Sequence, residues 1–160
     1  MDPAFTAAQR FAVGTSPTDL VSIKATTRPI RVLVIYSAHS QAAGAVVTIR
    51  DRLHRVTTPA VGGTSALAPA ADHRTDRPIA TAEVRYWTAP PATPAVVPDA
   101  HFRDSPIRLD AGQSSEILEW NFRDRGAEEI GLAPGESLVI KTENAPNASL
   151  FWFSIRWIES

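Results

Sequence analysis

The chain reads as an all-β protein, an antiparallel β-sandwich for which the eight-stranded jelly roll is the expected architecture. Three observations predict this. Short runs rich in β-branched and aromatic residues recur with period-two alternation, and clusters of Gly, Pro, Asn and Asp separate them. Almost no segment carries the 3.6-residue periodicity of an amphipathic helix. No segment repeats, which excludes propellers and solenoids. The 160 residues suit one domain, divided here into an N-terminal arm at 1–18 and a single sandwich domain at 19–160.

Residues 1–18 are small and polar apart from Phe5 and Phe11. A short helix over 4–11 would not bring those two rings onto one stripe, so the segment is read as an arm that docks on the domain or on a neighbouring subunit. Strand character begins at Asp19, with Leu20, Val21 and Ile23. After the turn signal Thr26-Thr27-Arg28-Pro29, the run 30–37 (IRVLVIYS) is apolar on both parities, as in a strand covered on both faces. Segment 44–50 (GAVVTIR) alternates next. Residues 57–78 are irregular and hold Gly62-Gly63, read as a flexible turn. The run 79–87 (IATAEVRYW) sets Ala82, Val84 and Tyr86 against Glu83, Arg85 and Trp87.

Residues 88–106 are dense in proline (Pro90, Pro91, Pro94, Pro98 and Pro106), which suggests an extended connection in place of a central strand. Three strong strand signals follow. In 115–122, Leu118, Trp120 and Phe122 share a parity; in 135–142, Leu138 and Ile140 do so. In 149–159, Phe151, Phe153, Ile155 and Trp157 form the inner face. The turn-rich linker 143–148 predicts that the last two strands pair as a hairpin.

Composition narrows the function. Sixteen basic against seventeen acidic side chains give a net charge of −1, so no global field argues for nucleic acid. The balance is uneven: 1–80 carry nine Lys/Arg against five Asp/Glu, and 81–160 carry seven against twelve. With no cysteine, disulfides, thiolate catalysis and Cys-based metal sites are excluded. The N-terminus lacks the pattern of a secretory signal, and no run approaches the ~20 apolar residues of a membrane span. Arg outnumbers Lys 14 to 2, a bias that suggests a GC-rich bacterial or phage coding genome.

Few residues are arranged for chemistry. His39, His54, His73 and His101 form no H-x-H or H-x-x-x-H pair. Asp72-His73-x-x-Asp76 reads as a solvated turn in preference to a metal site. There is no G-x-S-x-G elbow, and Gly62-Gly63-Thr64 lacks the Lys of a phosphate loop. Glu128 and Glu129 are adjacent, so an extended chain points them to opposite sides. Asn147-Ala148-Ser149 reads as a turn. Arg50, Arg52 and Arg55 with His54 form a basic cluster without neighbouring aromatics, which suits a solvated strand end or an acidic partner. The expectation is a non-enzymatic protein with no cofactor and no metal.

One feature exceeds what a lone sandwich needs. The face of 149–159 opposite its core carries Leu150, Trp152 and Ile158, where polar residues are expected. Two explanations stand: the patch is an interface, or the arm or the Pro-rich connection covers it. Phe5, Phe11, Leu150, Trp152, Ile158, Trp87 and Phe102 are therefore the candidate interface residues. Trp87 and Phe102 are also the candidates for an aromatic groove that binds carbohydrate.

The succession LVSIKA (20–25), PIRVLVIYS (29–37), Gly62-Gly63-Thr64, SEILEWNF (115–122), LAPGESLVIKT (132–142) and SIRWIE (154–159) resembles the small β-sandwich structural proteins of tailed-bacteriophage virions. Within that group it is most similar to the head decoration, or cement, type with jelly-roll or tumour-necrosis-factor-like topology. The resemblance covers roughly 19–159 and rests on structural motifs. It implies a homotrimer on the capsid surface that binds the major capsid protein, is made in the host bacterial cytoplasm, and carries no catalytic residue. The alternative is a tail-fibre or head-spike module that binds a receptor or carbohydrate.

Overall fold

The computed structural model describes residues 4–13, 18–41, 46–71, 79–95, 103–109, 112, 114–122, 130–143 and 149–160. Eleven strands are defined among them. These are β1 (Ala4–Val13), β2 (Thr18–Lys24), β3 (Ile30–Gln41), β4 (Val47–Val56), β5 (Ser65–Ala68) and β6 (Glu83–Trp87). The remaining five are β7 (Arg103–Leu109), β8 (Leu118–Asn121), β9 (Ile130–Leu132), β10 (Ser137–Glu143) and β11 (Ser149–Glu159). They form two sheets whose pairings are all antiparallel. Sheet A runs β1-β11-β3-β8, with β9 beside β3 next to β8; sheet B runs β5-β6-β2-β10-β4-β7. The inner faces enclose one apolar core, so the fold is the predicted β-sandwich, with more strands than the eight expected.

Several elements differ from the sequence reading. Residues 1–18 do not form a separate arm among the described positions: β1 is the edge strand of sheet A, paired along its length with β11, and its inward side chains join the core. The six-residue spacing that fails on a helix is even, so on a strand it places both rings on one face. Phe5 lies opposite Trp157 and Phe11 opposite Phe151, and both phenylalanines are buried. Phe11 also packs against Tyr86 and Phe153, with centroids 4.9 and 6.3 Å away.

The expected terminal hairpin is not formed. β10 pairs with β2 and β4, whereas β11 pairs with β1 and β3. Two strands that each carry a strongly apolar face bury more by facing each other across the sandwich than by lying side by side. The link between them, 144–148, lies outside the described residues.

β3 owes its apolar residues on both parities to a bulge and not to double coverage. Val34 faces Arg156 and Val32 faces Trp157, so Leu33 is an extra residue that shifts the inward set from Ile30 and Val32 to Ile35, Ser37, His39 and Gln41. Its outward residues Val34, Tyr36, Ala38 and Ser40 stay partly exposed. The Pro-rich connection also yields a strand: β7 contains Pro106 and forms the edge of sheet B beside β4, where a missing N–H is tolerated.

The outer side of sheet B is covered by loops. Segments 57–64 and 88–95 are zipped together by hydrogen bonds between Val61 and Thr93 in both directions, 3.0 and 3.1 Å. Beneath them Trp87, Val139, Val56, Ala60 and Ala95 form a second, smaller core. Buried Asp19 holds the end of this layer by accepting from Ala95 N at 2.8 Å and pairing with Lys141 Nζ at 3.0 Å. Gly62-Gly63 is thus locked in place, not a flexible turn. Both residues have φ of +73°, and a Cβ at Gly63 would lie 2.6 Å from the Pro90 carbonyl oxygen.

Candidate interaction face

The outward side of sheet A is built by parity. Pairing in register with Phe11, Phe151 and His39 turned inward leaves Arg10, Trp152 and Ala38 aligned outward, followed by Leu150 and Ser40. Segment 114–117 runs along the free edge of β3, held by Ser115 N donating to His39 O at 2.7 Å and His39 N donating to Ser115 Oγ at 2.9 Å. This raises Ile117, 63% exposed, as a rim. The result is a shallow pocket of about 350 Å³ floored by Trp152, Leu150 and Ala38 and walled by Arg10, Ser40 and Ile117.

Of the candidate interface residues, Leu150, Trp152 and Ile158 lie on this outer face and are partly exposed. Phe5, Phe11 and Trp87 are corrected: at 2%, 6% and 2% exposure they serve the cores of their own chain. Phe5 and Phe11 were turned inward by β1, and Trp87 was roofed by the loop layer. Phe102 lies outside the described residues. Among the described residues neither β1 nor the Pro-rich 88–95 covers Trp152, since β1 extends the sheet edgewise and 88–95 packs on the opposite sheet.

His39 and His54 sit within strands. His39 meets a carboxylate, its Nε2 lying 2.7 Å from Asp51 Oδ2, with both side chains fully buried between the sheets. Its ring packs on Phe151 at 4.8 Å. With inward Gln41, Thr142 and Ser149, the pair makes one end of the interior polar. Sequence reasoning missed this pair because β3 and β4 belong to different sheets. The signal was the parity of His39 with Ile35 and of Asp51 with Ile49. His54 is buried on the outward side of β4, and His73 and His101 lie outside the described residues. No group of three metal-ligating side chains occurs among the described residues. In the basic cluster, Arg52 pairs with Glu143 at 2.7 Å and Arg55 donates to Gly131 O at 2.8 Å. The motifs at 72–76, 128–129 and 147–149 include residues outside the described ones.

Compared with protein-family models, with curated proteins and with solved structures, the chain has no match.

Proposed function

We propose that the chain is a virion structural protein that seats as an oligomer, a homotrimer, on the outside of a phage capsid and stabilises the shell by binding the major capsid protein, without catalysis. The observation that carries this reading is the outward pocket of sheet A. An indole flanked by aliphatics occupies a face that a lone sandwich keeps polar, and such patches mark interaction surfaces.

The strand order supports it. With β5, β6 and β9 read as additions, the orders β1-β11-β3-β8 and β2-β10-β4-β7 are consistent with a jelly roll. That is the topology implied by the family the sequence resembles. A preformed sandwich loses little conformational freedom on docking, and contacts repeated about a symmetry axis reinforce one another. The receptor-binding alternative relies on an aromatic groove at Trp87 and Phe102 on which a sugar would stack; the Trp87 ring is buried and offers no open face for stacking, and Phe102 lies outside the described residues.

The test compares expanded shells with and without the purified chain. Shells carrying it are expected to survive heat and low salt under which bare shells fall apart. Equal survival of both would contradict the proposal.

A further inference from the structure

We propose that sheet B carries, on its outer side, a binding site for an acidic monosaccharide: a ring sugar bearing one carboxylate, free or at the end of a glycan. The site is a pocket of about 250 Å³, floored by Ser22 and Lys24 of β2 and by Glu83 and Arg85 of β6. Residues 59–62 roof it, and Trp87 closes its base. This volume lies just below the ~300–1,000 Å³ of pockets for drug-sized ligands, which suits a single ring.

The charges in the pocket are not used up internally. Ser22 stands opposite Arg85, and Lys24 opposite Glu83, in the β2–β6 register. Among the described residues no ion pair joins Lys24 or Arg85 to a carboxylate; Arg85 donates to Ser65 Oγ at 2.9 Å. Two cations against one anion leave the pocket net positive, which selects one anionic group. A guanidinium matches the planar fork of a carboxylate. Ser22, Ser65 and Glu83 supply the mixed donors and acceptors that ring hydroxyls require.

Trp87 is buried, with 2% of its surface exposed, so its indole closes the pocket from beneath and reports on its occupancy without itself bonding a ligand. The roof is rigid. Gly62 and Gly63 adopt positive φ and press against Pro90, Pro91 and Ala92, so the pocket exists before any ligand arrives. The site lies on the sheet opposite Trp152 and stands or falls separately from the capsid reading.

The experiment is a titration of the full chain, followed by calorimetry and by the indole N–H resonance of Trp87. The probes are glucuronate, glucose and inorganic phosphate. Saturable millimolar binding of glucuronate is expected, with a shift of the Trp87 resonance and binding about tenfold weaker for glucose and for phosphate. Lys24→Gln and Arg85→Gln should each weaken glucuronate about tenfold or more. Lys24 is only half-buried on the outer face, so its variant carries the test should Arg85→Gln fail to fold. Phosphate binding as tightly as glucuronate, glucuronate binding unchanged in Lys24→Gln, or no saturation would each overturn the proposal.

Discussion

At the scale of single residues, Glu159 shows how a carboxylate near the end of the sequence fastens a distant loop. It accepts from Thr81 N at 2.8 and 3.1 Å, from Thr81 Oγ1 at 2.9 Å, from Ala82 N at 2.9 Å and from Trp157 Nε1 at 3.3 Å. Burial by itself would raise its pKa, but these donors outweigh burial and hold it below the ordinary 4.5. A carboxyl lowered in the folded state stabilises the fold above its unfolded pKa, and that contribution is lost as pH falls through the folded value. Glu159→Gln is expected to cost about 1–3 kcal/mol at neutral pH. Denaturant unfolding should show the gap to the native protein closing as pH drops below the usual carboxylate range. A gap independent of pH would contradict this. At Gly63, any side chain meets both the positive φ and the Pro90 carbonyl. Gly63→Ala should therefore lose more than about 1 kcal/mol, readable by thermal melting. The Gly-Gly pair was visible in sequence, but its role was not, because the constraint comes from prolines almost thirty residues away.

At the scale of elements, β1 is the clearest departure from a detachable arm. Its inward residues Phe5, Ala7, Phe11 and Val13 all belong to the main core. Deleting residues 1–13 should leave a chain that fails to fold cooperatively, and Phe11→Ala should cost about 3–5 kcal/mol, both measurable by chemical denaturation. A truncated chain with native-like cooperativity would restore the arm. The strands with strict alternation were legible from sequence: β6, β8, β10 and β11 each turn inward the parity that alternation assigns. β1, β5 and β9 were not, since alanine-rich or very short segments carry little period-two signal. The hairpin misreading has a similar origin. A turn-rich linker shows that the chain reverses, and not whether it stays in one sheet or crosses to the other. β7 was hidden by Pro106, which only an edge position tolerates.

At the scale of the whole molecule, the two sheets present different outer surfaces. Sheet B is partly roofed by zipped loops that shelter a polar, net positive pocket. Sheet A leaves Trp152, Leu150 and Ile117 at its surface. The oppositely charged halves of the sequence meet inside one chain at Arg52–Glu143, so their asymmetry does not by itself require a second copy. Half of the candidate face was legible, because alternation on β11 alone places Leu150 and Trp152 outward. Arg10 and Ile117 were not, since their arrival beside Trp152 depends on β1 joining β11 and on 114–117 lying along β3. Sequence reasoning equally could not foresee that Trp87, given the same outward parity, would be roofed.

The most direct test of the docking face is co-sedimentation of the chain with expanded capsid shells, comparing the native protein with Trp152→Ser. The indole lies on the outer face and not in the core, so the substitution should change stability by less than about 1 kcal/mol. Its binding to shells should nevertheless fall at least about tenfold. A Trp152→Ser protein that melts like the native one and sediments with shells equally well would contradict the account.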